Sequence, residues 1–393
     1  MGNAVGNALA GSQHVIVSGQ APHTNLIVEE IASWTEFLRL QPRWRALAEG
    51  DADGVLLGHD WTAQCWKTCP ELHPSGPEGV AEAPLVLALR PTGGDVAAVL
   101  ALRHNRRSRR ICFLEESRSQ RLDLLAQPGC AASAWRAVAS YFRRRRGWDR
   151  LDLQFLRPGG VAHAGAAFAA AGLAWRRRGT VAQRRIVLDR PWEAVEASFS
   201  PYLRANFRRR QKRLLAQGEL TLTVHGAVDE LDSVLADCFG LEQRGWKGSE
   251  GTAVASRPAL LRFYRQLAFR MAARRQLRLY CLRLNGRVIA FEYCVCNAVA
   301  RQLFSLKIAY DEQFRTASPG IVLRWLLLRQ AWGATTVYDF LGDDVAWKRD
   351  WTPDALQLTH MRIYNRTLRG QAWRTRASVH ALMVRGLPAG WFH

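Results

Sequence analysis

The sequence predicts a mixed α/β (α+β) fold built as two domains side by side, each a mixed, largely antiparallel sheet flanked by helices. Three observations carry this. The chain has 393 residues, longer than most single domains. Apolar β-rich runs alternate with amphipathic runs along its length. An order of strand, helix, helix, three-strand meander, helix, strand, short helix and strand fills the second half and recurs loosely in the first.

Composition narrows the class. With 48% hydrophobic residues and 15 Trp the chain can bury large cores, which excludes global disorder. A net charge of +21, from 55 Lys+Arg against 34 Asp+Glu, favours polyanions: nucleic acid, an anionic membrane face or phosphate-bearing substrates. It does not choose among them. The eight cysteines have no zinc-ligand spacing, so buried thiols and no metal are expected. No apolar run approaches the roughly 20 residues of a membrane span. The opening MGNAVGNALAGSQ lacks a basic region and a continuous apolar core. The expectation is a disordered leader over 1–25 and a cytoplasmic protein.

In the first domain, 26–190, Trp34–Ala48 and Trp61–Cys69 have helical spacing, and Leu85–Leu89, Val96–Arg103 and Ile111–Leu114 read as strands around the Pro91–Gly94 turn. Ala131–Arg146 is a helix whose basic end suits a helix C-terminus. Leu151–Leu156 is a strand, Val161–Ala171 an Ala-rich helix, and Leu173–Arg178 and Arg184–Leu188 two strands. At Pro191 the character changes, opening a domain over 191–367. Trp192–Phe199 is short and helical. Pro201–Gln217 is the most basic helix, with Leu203, Phe207, Leu214 and Leu215 on one side and Arg204, Arg208, Arg209, Lys212 and Arg213 on others. That face is either simply solvated or a contact for an acidic substrate or RNA. Strand Leu220–His225 precedes helices Val228–Arg244 and Arg257–Arg275, joined by the loop GWKGSEG. Its Trp246 and Lys247 either clamp a flat or anionic group or pack as an ordinary surface loop.

The meander Leu277–Leu284, Arg287–Asn297 and Arg301–Ile308 turns first at Asn285-Gly286, which accepts positive φ at both central positions. Ser318-Pro319-Gly320 then starts a helix reaching Trp332: serine can cap, and proline suits the first position. Such an end either seats a phosphate or is a well-capped crossover. Thr335–Asp339 and Gln357–Tyr364 are the closing strands, and the basic tail from Leu368, 368–393, is expected to be helical. Glu292, inside an apolar strand, is either the partner of an arginine or a general base. Asp339, at a strand end, is a base, an orienting group or a cap for the next turn. His360 reads as a packed histidine. No G-x-S-x-G elbow, Walker loop or G-x-G-x-x-G occurs, which sets hydride and phosphoryl transfer aside.

Four motifs in order, LEQRGWKGSEG (Leu241–Gly251), LRLNGRVIAFEY (Leu282–Tyr293), SLKIAYDEQFRTASPGIVL (Ser305–Leu323) and YDFLGDDVAWKRDW (Tyr338–Trp351), resemble the GNAT-like family of CelD-type proteins from cellulose and exopolysaccharide gene clusters. That family is similar in turn to the FemABX aminoacyl transferases. The resemblance implies two GNAT-like domains, the first degenerate, and an acyltransferase using acyl-CoA (acetyl-CoA) on an amine or hydroxyl of a sugar or nucleotide-sugar in association with polysaccharide synthesis machinery. It implies carrier and thioester contacts at Leu306, Lys307 and Ile308, phosphate contacts at Arg315, Ser318 and Gly320, and an aromatic-Lys pair at Trp347-Lys348. Lys348 would stabilise charge, with the alternative of a surface lysine. Of the (Q/R)-x-x-G-x-(G/A) phosphate loop only Arg315 and Gly320 fit. The rival expectations are a FemABX-like transferase fed by aminoacyl-tRNA and a non-catalytic accessory protein.

Overall fold

Local chemistry sets the element boundaries. A computed structural model of the protein describes residues 25–376, except 32, 69–81 and 116–118. Residues 1–24 of the expected leader, Cys69 and the tail beyond 376 lie outside the described residues. β1 (Ile27–Ile31) leads to α1 (Trp34–Arg39), opened by a capping box between Ser33 and Glu36. Pro42 divides what reads in sequence as one helix, since its ring cannot donate and crowds the preceding turn, so α2 (Gln41–Glu49) is separate. Then come α3 (Gly54–Leu57), α4 (His59–Thr68), β2 (Glu82–Arg90), β3 (Ala98–Asn105), β4 (Arg110–Phe113), β5 (Leu125–Ala126), α5 (Ala131–Arg144), β6 (Arg150–Leu156) and α6 (Pro158–Ala170). β7 (Trp175–Val187) is one long strand where the sequence suggested two. It stays extended because it has a partner throughout: β13 along Trp175–Arg184, and β12 along Arg185–Val187.

The second half runs α7 (Trp192–Ala197), α8 (Pro201–Leu215), β8 (Leu220–His225), α9 (Leu231–Arg244), α10 (Trp246–Ser249), α11 (Pro258–Ala273), β9 (Leu277–Leu284), β10 (Arg287–Asn297), β11 (Gln302–Tyr310), a 3-10 turn (Glu312–Ala317), α12 (Pro319–Ala331), β12 (Val337–Asp339), α13 (Ala346–Arg349) and β13 (Ala355–Tyr364). Residues 368–376 are helical. The β9–β10 turn forms as its residues require, with φ of +49° at Asn285 and +80° at Gly286.

The strands make one sheet in the order β1-β2-β3-β4-β6-β13-β7-β12-β11-β10-β9-β8, with β5 beside β3. Among the described residues only β4·β6 and β11·β12 are parallel strand pairs. The sheet does not break at Pro191: β13, the last strand, lies between β6 and β7. Helices cover both faces. α5 and α6 bury Trp135, Phe142 and Phe168 on one side of the first half, and α1, α2 and α4 bury Phe37 and Trp44 on the other. In the second half α9 and α11 cover one face, and α7, α8 and α12 the other.

A buried charge cluster joins the halves. Arg121, 3% exposed, donates to Asp53 at 2.9 Å, to Asp339 on β12 at 2.5 Å and to Gln183 on β7 at 2.9 and 3.1 Å. Burial pushes the Asp53 carboxyl upward, against the pull of Arg121 and Arg157. Such ions are tolerable only together, because removal of one partner leaves an uncompensated buried charge. Arg121→Met is therefore expected to cost about 3–5 kcal/mol in urea unfolding, with part of the loss recovered in Arg121→Met/Asp339→Asn. A loss under about 1 kcal/mol would show that water or a rearranged cation replaces Arg121.

Candidate active site

The site begins where two strands part. β11 pairs with β10 from Gln302 to Tyr310 but with β12 only from Gln302 to Phe304. Leu341 and Gly342, with φ of +48° and +61°, turn the chain away after β12. A bulge sharpens the divergence: Tyr293 faces Lys307 and Cys294 faces Ser305, so Leu306 is the extra residue. Beyond Phe304 β11 borders a cavity of about 460 Å³, with Ile308, Ala309 and Tyr310 on its wall. The start of α12 supplies Gly320 and Ile321, α8 supplies Tyr202 and Leu203, and Trp347 and Trp351 close the far side.

The polar floor is a closed ring of three side chains. Glu292, 1% exposed, accepts from Arg324 Nη2 at 2.9 Å and from the Tyr338 hydroxyl, while Arg324 Nε donates to that hydroxyl at 3.0 Å. Phe340, Trp347 and Trp351 surround the guanidinium, their centroids 5.2, 4.8 and 5.7 Å from Cζ. Burial works to lower the pKa of Arg324, but Glu292 and Tyr338 outweigh it and hold the guanidinium above its ordinary range. Burial also pushes the Tyr338 phenol well up, so it stays a hydrogen-bond donor. Of the two roles open to Glu292, the arginine partnership is present.

Behind this ring sits Lys348. Its Nζ donates to Leu341 O at 2.6 Å and Asp343 O at 2.7 Å, and lies 5.8 Å from the Trp347 centroid. Burial, and then the charge of Arg324, lower its pKa to about 8. Asp339 does not border the cavity. Its carboxylate takes Arg121 on one side and the Leu341 N–H at 2.8 Å on the other, which is the turn-capping arrangement.

At the carrier end, Ser318 differs from expectation. It is left-handed, φ +46° and ψ +62°, and its side chain does not cap α12; the hydroxyl turns back to Arg315 O at 3.3 Å. Its carbonyl instead accepts Ile321 N–H at 3.0 Å and Val322 N–H at 3.4 Å. Pro319 has no N–H, so Gly320 supplies the first-turn donor that these bonds do not use. A Cβ at Gly320 would meet only Tyr310, at 3.7 Å, so the approach is open. Arg315 is exposed at the cavity edge.

The cavity thus gathers Glu292, Ile308, Arg315, Ser318, Gly320 and Trp347 and leaves Asp339 and Lys348 behind its wall. Leu306 packs toward the α9–α11 core, and Lys307 Nζ stands 5.1 Å from the Tyr264 ring centre. Trp246 and Lys247 fall on α10, and their side chains lie outside the described residues. Sequence reasoning missed Arg324, Tyr338 and Trp351. Arg324 had a signal: it is the one charge within Ile321–Leu328, and buried Glu292 needed a cation.

Residues 202–349, which carry most of this cavity, match the family model described as an acetyltransferase (GNAT) domain. Two solved structures share the wider fold. The C-terminal domain of a putative lysylphosphatidylglycerol synthetase from Agrobacterium fabrum is 12% identical over 87% of this chain and 95% of that one, with a TM-score of 0.54. FemX is 11% identical over 88% and 99%, with a TM-score of 0.55. At these identities the likeness is one of fold. No curated protein matches the chain.

Lys348 yields a pH prediction. Between about 8 and the ordinary value of 10.5 only the unfolded chain binds the proton, so this residue makes stability rise with pH across that window. Its burial cost is fully present below about 8. Denaturant unfolding from pH 7 to 10.5 is expected to show a more positive slope in the native protein than in Lys348→Met; equal slopes would place the amine at its ordinary value.

Proposed function

We propose that the protein is an acyltransferase that moves an acyl group from acyl-CoA to an amine or hydroxyl in the cavity beside β11. The observation that carries this reading is the parting of β11 and β12 over a 460 Å³ cavity beside the start of α12. Backbone amides along Ser305–Ala309 would polarise the thioester carbonyl and meet the developing oxyanion, a role that needs no catalytic side chain. The diphosphate would rest on Gly320 N–H, at the positive end of α12, with Arg315 beside it. The acceptor would enter past Tyr202 and Trp347 and be oriented by Glu292, whose carboxylate the Arg324–Tyr338 ring fixes in one place. Lys348 would hold the loop that carries Trp347.

In this reading 191–367 is the transferase domain and 26–190 a degenerate relative that buttresses it through Arg121. The acceptor is a sugar or nucleotide-sugar of polysaccharide biosynthesis, supported by the four sequence motifs alone. The setting is the cytoplasm, where acyl-CoA is made. Among the described residues no helix is long and apolar enough to cross a membrane.

A second reading, transfer from aminoacyl-tRNA, is favoured by one feature. α8 leaves the cavity edge at Tyr202 and exposes Arg204, Arg208, Arg209, Lys212 and Arg213. A nucleic-acid donor would track that helix, and its binding would fall steeply with salt.

Calorimetric titration with acetyl-CoA and a longer acyl-CoA at moderate salt tests the first reading. Arg315→Ala is expected to weaken binding roughly tenfold or more, the weight of a charge-assisted hydrogen bond. No binding of either ligand removes acyl-CoA as donor. The second reading predicts that Arg208→Gln/Lys212→Gln lowers the slope of log affinity for tRNA against log salt by about two. An unchanged slope excludes α8 as the track.

A further inference from the structure

Arg324 is 4% exposed and borders the cavity. One edge of its guanidinium is committed: Nε donates to Tyr338 at 3.0 Å and Nη2 to Glu292 at 2.9 Å. These two nitrogens form the side fork of a planar group with five N–H donors. The end fork, Nη1 with the second hydrogen of Nη2, has no acceptor among the described residues. The rings of Phe340, Trp347 and Trp351 around it present π faces but no lone pairs aimed at N–H groups. Because Arg324 lines the cavity, this fork opens onto it, and its N–H groups are there for an entering acceptor.

We propose that the end fork of Arg324 is a carboxylate subsite, so that the ligand filling this cavity carries a carboxylate received by two parallel N–H donors. The inference rests on the acyl-transfer reading for its setting and deepens it by naming the substrate chemistry. Two parallel donors on a permanent cation match a carboxylate in shape and charge, and a neutral carbonyl uses only part of them. The other charges on the cavity wall direct the placement. Glu242, Glu292 and Asp350 repel a carboxylate from their own positions. Arg315 lies at the exposed edge, where the diphosphate is placed. The fork is the seat that is left on the floor. Its Glu292 partner fixes the guanidinium plane before the ligand arrives, and Trp347 and the buried Trp351 flank the contact with apolar surface, which strengthens it.

The carboxylate has two sources within this chemistry. It belongs either to the acyl group, as in a dicarboxylic acyl-CoA, or to the acceptor, as in an amino acid. The products of the two differ: the first leaves a free carboxylate on the transferred chain, the second on the acylated amine.

The test uses the whole chain and begins with succinate alone, followed by tryptophan fluorescence because Trp347 and Trp351 flank the fork, at ionic strength held constant with chloride. A saturable response is expected in the native protein and in Glu292→Gln, which keeps the fork. It should weaken at least tenfold in Arg324→Gln/Glu292→Gln. That double variant removes both buried charges together, and circular dichroism and urea unfolding verify that it folds. No response in the native protein, or an undiminished one in the folded double variant, overturns the subsite.

Calorimetry then assigns the source. Succinyl-CoA binding at least tenfold tighter than acetyl-CoA places the carboxylate on the acyl group. L-alanine binding at least tenfold tighter than L-alaninamide, with acetyl-CoA present, places it on the acceptor. If neither CoA ester binds while the succinate response holds and depends on Arg324, the acyl-CoA reading fails and the subsite stands.

Discussion

The Arg121 guanidinium is the constraint on which the rest of the structure depends. It is buried among Asp53 from the first helices, Gln183 from β7 and Asp339 from β12, so three distant parts of the chain must converge before any of these charges is compensated. Low dielectric makes this all-or-none: the ions attract strongly when together and are intolerable apart. The consequence reaches the cavity in short steps. Arg121 holds Asp339, Asp339 holds the Leu341 N–H, and the Leu341 carbonyl holds Lys348 beside Trp347. The cavity wall is therefore set partly from the first half of the chain, none of whose described residues lies on it.

The cavity combines two kinds of constraint that pull apart. β11 must leave β12 to make space, which exposes the sheet interior, yet the buried Glu292, Arg324 and Tyr338 must keep hydrogen-bond partners. The three-membered ring reconciles them. It satisfies the buried carboxylate and the phenol within the protein, so the floor holds its shape in the absence of ligand.

What was legible in the sequence was local. The Asn285-Gly286 turn, the Pro319 helix start and the β9–β11 meander all follow from the residues at those places, and the mixed, largely antiparallel sheet follows from them. What was not legible depends on distance. Asp339 is ambiguous by itself, and its partner Arg121 lies 218 residues away. β7 reads as two strands because its continuity comes from two neighbours that the sequence does not identify. Ser318 carries the sequence signature of an N-cap, but its left-handed backbone turns the hydroxyl away from α12 and leaves the capping to its carbonyl. Arg324 was visible as a charge in an apolar helix, yet only the fold shows that it sits beneath the same cavity as Glu292 and Trp347.

The placement of β13 has a consequence for synthesis. A ribosome releases β6 and β7 well over a hundred residues before β13, and until then the two have no strand to fill the gap between them. The first half therefore emerges with one edge of β6 and both edges of β7 unsatisfied, since β12 and β13 are still to come, and such edges are templates for pairing with other chains. Because that gap closes only at residues 355–364, nearly the whole described chain must be present before the sheet is continuous. Long-range closure of this kind is slow, and it leaves those edges exposed while the chain folds. A truncation just before Ala355 would lose more than its own length: it would reopen the middle of the sheet.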